Sequence, residues 1–391
     1  MSDSEATTRS ASGSSISFLQ VSELQDFCFN PLRFEPLAFR SESPPLAITL
    51  KSKLPKESIG GGHMVIECRV SRTVGVAPDL AEFVAGLAEY RYVSLTDSPI
   101  SVPFSVKGVL KIADDGKLCQ REQVPYEVYP TRLRQLADQM SCELLKDQDR
   151  FLRLLRWSQE AVSSHILYDG EPQLYWSSST SQNYSPVARH RSGSSSSGLF
   201  GGIGWEPHHQ ELLADLWSNE TTMEPLAHEL LREAHSLASH GSYRSALLMS
   251  ATAVEVGAKD HISRHRPQTE WLMQNMPSPP IHKLLRDYLF NIHGEGVAKK
   301  YWQKLSSLWV GCQQLAEARN KIAHAGAEAD AETFWPHFET AHDVLYVLDV
   351  LDGHDWAKVR VSSGLRSKLE WPRPPEMRLT ATWRPRQWLE G

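Results

Sequence analysis

Hydrophobic and polar positions divide the chain into a front part that alternates with a period of two and a back part that repeats every three to four residues. From residue 18 to 129 the signals are those of strands. Met64, Ile66, Cys68 and Val70 alternate with Val65, Glu67 and Arg69, and Leu46 to Leu50 reads as a further strand. A run over 106–112 leads into Asp114-Asp115-Gly116, a hairpin turn. Between these strands Leu80, Phe83, Val84, Leu87 and Ala88 keep helical spacing behind Asp79, a capping residue. The longest helical stripe, over 131–163, carries Leu133, Leu136, Met140, Leu144, Phe151, Leu154 and Leu155. Residues 165–176 then read as a small hairpin. This pattern predicts an α+β domain over 18–176.

Over 177–221 the chain turns to Ser, Gly and isolated basic residues, the composition of a linker. Beyond it the periodicity is helical throughout, over about 223–238, from residue 243 onward, 281–291, 297–325 and 331–351. Five helices with short connections predict an antiparallel bundle over 222–353. The stretch 354–391 is rich in Trp, Pro and basic residues, with Trp356, Trp371, Trp383 and Trp388 interleaved. Arg and Trp together suit stacking on single-stranded nucleic acid. The four prolines there favour instead an extended strap whose indoles pack back on the bundle.

Composition narrows the function classes. A chain of 391 residues, 41% hydrophobic and 23% charged, has room for two or three cored domains. Its net charge of −6 argues against bulk electrostatic coating of nucleic acid, so any RNA contact has to be local. Cys28, Cys68, Cys119, Cys142 and Cys312 form no Cys-x2-Cys pair and have no histidine cluster near them, so neither a zinc site nor a disulfide framework is expected. A cytoplasmic protein without cofactor fits best. Residues 1–17 read as a disordered, Ser/Thr-rich tail, and no stretch has the roughly 18 to 20 apolar residues of a membrane span. Gly60-Gly61-Gly62-His63 lacks the Gly-Lys-Ser/Thr ending of a phosphate loop and reads as a plain loop.

The chemistry concentrates in Glu317-Ala318-Arg319-Asn320-Lys321-Ile322-Ala323-His324-Ala325-Gly326. At about 100° per residue, Arg319 and His324 lie roughly 140° apart around a helix axis and flank one broad face. Gly326 is suited to the left-handed residue that ends a helix, which leaves His324 beside the negative end of the dipole. Arginine grips a phosphate through two parallel hydrogen bonds, and histidine can carry a proton near neutral pH. Together they suffice for metal-free RNA cleavage, in which the ribose 2′-hydroxyl attacks phosphorus and a 2′,3′-cyclic phosphate results. An Arg-x4-His match arises on the order of once by chance in such a chain. Arg286 and His293 form a looser second match. The bland alternative makes His324 a donor to a last-turn carbonyl and Arg319 a solvated partner of Glu317 or Asp330.

The alanine-rich run Ser245 to Val256 with its Glu255, followed some 60 residues later by Ala318-Arg319-Asn320-Lys321-Ile322-Ala323-His324, resembles the HEPN superfamily of helical-bundle domains. The details are similar to the prokaryotic ApeA-like HEPN branch. The resemblance covers about residues 222–353 and implies a HEPN-like all-α bundle behind the α+β domain. Many HEPN members are metal-independent endoribonucleases of antiviral defence, abortive infection or toxin–antitoxin systems. Their bundles form homodimers in which two motifs build one cleft. Carried over, Arg319 would bind the scissile phosphate, His324 would transfer protons, and Asn320 matches the polar residue after the arginine. Other members bind nucleotides or serve as non-catalytic dimerisation or interaction modules, and that reading stands as the alternative. Glu255 and Lys321 are supporting candidates, because Glu255 needs a cation that Arg319 or Lys321 could supply; Lys259, four residues on, is the competing partner. By analogy with defence proteins that tether a HEPN nuclease to a recognition module, the resemblance implies a sensing or docking task for the front domain, toward a trigger or inhibitor.

Overall fold

The computed structural model describes residues 14–25, 37–42, 45–53, 65–89, 126, 129–159, 167–168, 172–179, 184–187, 208–275, 280–293 and 301–372. The chain forms two compact units, Met1–Met223 and Glu224–Gly391. The tail 1–13, the glycine run 60–63, the strand 106–112 with its turn at 114–116, and Trp383 and Trp388 lie outside the described residues. No helix among the described residues is long and apolar enough to cross a membrane.

The front unit is an antiparallel sheet with helices. Strands β1 (Ser15–Gln25), β2 (Leu37–Glu42), β3 (Pro45–Lys53), β4 (Val65–Gly75), β5 (Leu167–Tyr168), β6 (Gln173–Ser178) and β7 (Ser185–Pro186) follow the order β2-β3-β4-β1-β6-β7, with β5 also on β1. Alternation decides the buried face: Ile16, Phe18, Gln20, Ser22 and Leu24 of β1 point inward, as do Leu46, Ile48 and Leu50 of β3. Helices α1 (Pro78–Glu89) and α2 (Thr131–Gln159) pack against this sheet. The two inward polar residues of β1 would be costly alone. Gln148 of α2, itself buried, accepts from Ser22 Oγ at 3.0 Å and Gln20 Nε2 at 3.4 Å.

Four features differ from the sequence pattern. β1 begins at Ser15, inside the expected tail, because its alternation extends to Ile16. The hairpin expected over 165–176 does not form: β5 and β6 both run along β1 and not along each other. β6 continues through Ser177 and Ser178, which are buried, so the serine run is sheet before it is anything else. The stretch expected as linker also holds α3 (His208–Ser218), whose Leu213, Leu216 and Trp217 sit at helical spacing and are buried. Arg150 fixes α3 from α2: it donates to the carbonyls of Trp217 and Asn219 at 3.0 and 2.7 Å and lies 4.4 Å over the Trp217 ring.

The rear unit is helical. Helices α4 (Leu226–Ser239) and α5 (Tyr243–His265) are joined by a tight turn at Gly241, whose φ of 76° favours glycine. A stretch over Ile281–Lys283, Leu284–Tyr288 and Leu289–His293 is helical with a π turn in its middle. The helix Ser306–Ala325 carries the Arg–His motif, and the long helix Ala331–Leu351 packs against α4, α5 and the motif helix. Small residues make the close packing of α5 feasible. A Cβ on Gly257 would stand 2.6 Å from Leu345 Cδ2 and 3.1 Å from Ala227 Cβ, so three helices converge there.

The first part of the expected tail belongs to this unit. Asp343, buried on the long helix, accepts from Ser362 N and Oγ, both at 2.6 Å, and pins the chain that leads into helix Ser363–Leu369. Trp371 is buried against the same core, 5.7 Å from the Tyr301 ring. Trp356 packs on that core too. Among the described residues, these indoles pack back on the bundle.

Candidate functional site

The motif occupies the last two turns of its helix. Gly326 takes the left-handed conformation (φ 65°, ψ 24°), its N–H bonds to Ile322 O, and Ala327 N reaches Lys321 O, so the helix ends where the sequence pattern places its end. Ile322 is the buried anchor of this end, while Asn320, Lys321, Ala323 and His324 are exposed and Arg319 is half-buried. Five residues along a helix span about 7.5 Å of axis, so the two motif side chains leave the helix one turn and a half apart.

The competing partners are otherwise engaged. Arg319 Nη1 donates to Asn320 Oδ1 at 3.0 Å, within the motif itself. Glu317 accepts from Gln313 at 2.9 Å, and Asp330 caps the long helix by accepting from Thr333 N at 2.9 Å, a bond that holds its carboxyl below the usual range. Among the described residues His324 has no hydrogen-bond or ion-pair partner. A guanidinium bound only to a neighbouring amide, and a free imidazole, are available to a ligand.

Glu255 is placed differently from one of its two expected roles. Its carboxylate takes Lys259 Nζ at 2.7 Å, the partner four residues on, and not Arg319 or Lys321. The spacing favours this local pair, which reaches its partner without any tertiary arrangement. Lys321 instead lines a groove of about 350 Å³ together with Leu247, Glu317, Glu328, Thr333 and His337. Arg319, Asn320 and His324 do not line it, and two carboxylates against one lysine suit it poorly to a phosphate chain.

The second match does not assemble. Arg286 is exposed and grips its own neighbour Asp287 with two bonds, at 2.7 and 2.9 Å. His293 turns instead into a group of three histidines, which the Arg–His spacing does not foreshadow. Its Nε2 lies 2.7 Å from His261 Nε2, and the ring of His265 is 4.7 Å from its own. His261 is fully buried, with Nδ1 2.8 Å from Asp352 Oδ1, and His265 Nε2 lies 2.7 Å from the same oxygen. Arg264 Nη1 holds Asp352 Oδ2 at 2.8 Å. Burial pushes the His293 imidazolium down to about 4, helped by the charges of His261 and His265. Burial also opposes the Asp352 carboxylate, yet its bonds and charge pairing with His261, Arg264 and His265 outweigh this and hold it down to about 2. The missed signal was His261-x3-His265, a spacing that puts two imidazoles on one face of α5.

No protein-family model matches the chain, and neither a curated protein nor a solved structure is significantly similar to it.

Proposed function

We propose that the rear unit is a metal-independent endoribonuclease of the HEPN type that acts as a homodimer in prokaryotic antiviral defence or a toxin–antitoxin setting. The observation that carries the reading is the state of the motif: Arg319 tied only to Asn320, and His324 unpaired, both at the outer end of one helix. In the reaction the ribose 2′-oxygen attacks phosphorus as its proton passes to a histidine. Arg319 neutralises charge on the non-bridging oxygens, and the 5′-oxygen leaves with a proton. The products are a 2′,3′-cyclic phosphate and a 5′-hydroxyl, and DNA is spared because it lacks the nucleophile.

One chain supplies one arginine and one histidine for a reaction that moves two protons. A two-fold axis beside the motif doubles the supply. Val310, 55% exposed, stands on the stripe that also carries Glu317 and His324, an apolar spot that a second copy would cover. RNA is gripped locally at this cleft, in single-stranded regions where the 2′-hydroxyl can align. The front unit then restrains or directs the nuclease by sensing a trigger or inhibitor.

The test is incubation of the purified chain with single-stranded RNA in excess EDTA. Cyclic-phosphate ends that disappear in Arg319→Ala support the nuclease. RNA left intact across trigger candidates overturns it in favour of a non-catalytic dimerisation or nucleotide-binding module.

A further inference from the structure

We propose that His261, His265 and His293 form a binding site for one divalent transition-metal ion of the zinc class, with Asp352 as the carboxylate that orients the rings. The site is separate from the Arg319 and His324 motif and does not rest on the nuclease reading. Each histidine offers one ring nitrogen, and the three lie within 4.8 Å of one another. Zinc binds imidazole nitrogen at about 2.0–2.1 Å, so three nitrogens around a tetrahedral ion stand about 3.3 Å apart. The separation of 2.7 Å between His261 Nε2 and His293 Nε2 and the outer limit of 4.8 Å bracket that value. Small side-chain rotations suffice to close the site.

The proton count supports an ion. Two imidazole nitrogens facing each other at 2.7 Å can share one hydrogen at most, and the fully buried His261 already turns its other nitrogen, Nδ1, to Asp352 Oδ1 at 2.8 Å. A proton held on Nδ1 by the carboxylate leaves the lone pair of His261 Nε2 aimed at His293, in the tautomer that ligates a metal. A cation bound through His261 Nε2 and His293 Nε2 replaces that contact with two lone pairs donated to one centre. The neutral imidazole is the common ligand of zinc, copper and nickel, whereas calcium and magnesium take oxygen.

The surroundings supply the outer contacts such a site uses. Asp352 Oδ1 faces both His261 and His265, and its other oxygen is taken by Arg264, so the carboxylate is committed to positioning. Arg266 donates to the carbonyls of Asn291 and Ile292, both at 3.4 Å, and so fixes the backbone that delivers His293. The two guanidinium groups oppose a cation, and Asp352 offsets one of them. His265 is 33% exposed, which leaves water a path to the fourth coordination position. The ion would tie the end of α5 to the π-bearing stretch and to the turn after the long helix.

The experiment uses the full chain, dialysed free of metal and titrated with Co²⁺ and then Zn²⁺. We expect one equivalent of Co²⁺ with the visible absorption of a tetrahedral site, its displacement by Zn²⁺, and a higher unfolding temperature with Zn²⁺ bound. His265→Gln and His293→Gln should abolish the spectrum, and Asp352→Asn should keep it while weakening Zn²⁺ on the order of 10–100-fold. Absence of micromolar Co²⁺ binding by the folded chain, or an unchanged spectrum in both glutamine variants, overturns the site. Should the glutamine variants fail to fold, His265→Cys decides: a thiolate-to-cobalt band in the near ultraviolet supports the site, and an unaltered spectrum overturns it.

Discussion

Gly257→Ala adds a single methyl where α4, α5 and the long helix meet. Its Cβ would stand 2.6 Å from Leu345 Cδ2, 3.1 Å from Ala227 Cβ and 3.7 Å from Leu348 Cδ1. Contact at 2.6 Å forces Leu345, which is 2% exposed, away from its packed position. Overpacking of this kind costs about 1–3 kcal/mol. Replacing a helical glycine by alanine returns about 0.8–1.0 kcal/mol through backbone entropy. The balance predicts a loss of roughly 1 kcal/mol in the rear unit. The sharper test is the pair with Leu345→Ala, which alone should cost about 2–5 kcal/mol through its cavity. In the double variant the new methyl meets no Cδ2 and fills part of that cavity, so the two losses should fall short of their sum by about 1 kcal/mol or more. Urea unfolding followed at 222 nm, with separate transitions fitted for the two units, reads all four proteins. Losses that add within about 0.5 kcal/mol would refute the claimed three-helix contact.

Burial between Trp335 and Phe338, each ring 5.6 Å away, pushes the His235 imidazolium below its ordinary value. Its contribution to stability is therefore complete above about pH 6.5 and fades as the pH falls toward the lowered folded value. His337 shifts the same way through burial, so His235→Phe should reduce, not erase, the loss of stability between pH 7 and 5; equal slopes in the two proteins would contradict the assignment. Glu255→Gln breaks only a partly buried local pair four residues apart, so stability should change by about 0.5 kcal/mol or less and RNA cleavage should stay within a factor of about two; a tenfold loss of rate would place Glu255 in the active cleft. Arg319→Lys should leave circular dichroism and RNA affinity unchanged while cleavage falls, because only the two-toothed grip on the transition state is lost. Mixing Arg319→Ala with His324→Ala chains should restore part of the rate if the cleft is composite, and none if each chain holds its own site.

The fold was legible where one element's pattern is enough. Alternation through Ile66, Cys68 and Val70 marks β4, and the apolar stripe through Leu133, Met140, Leu144 and Phe151 marks α2, because each burial pattern follows from a single period. It was less legible where polar residues are buried. Ser177 and Ser178 read as linker by composition, yet the sheet register sets them opposite Ser17 and Ile16 and buries them. Gln20 and Ser22 would likewise pass for an exposed face without knowledge of Gln148, more than 120 residues away. Composition reports solvent preference, whereas pairing partners decide whether a polar side chain can be buried.

The same distinction separates the two clusters of candidate side chains. Arg319, Asn320, His324 and Gly326 lie on one helix end, so spacing and the glycine's left-handed preference are enough to describe their arrangement. The choice of Lys259 as the partner of Glu255 is equally local and was one of the two readings the sequence allowed. His261 and His265 were readable as a pair on one helical face, but a pair four residues apart is no site. What makes it one is His293, brought by a stretch whose π turn adds a residue to its winding, and Asp352, brought by the turn that ends the long helix. An inserted residue rotates everything after it by about 100° relative to an unbroken α-helix, so the facing of His293 cannot be obtained by extending the helical period from Ile281. Arg286 and His293 are separated by that same winding, and for that reason one faces its neighbour Asp287 while the other joins the buried histidines.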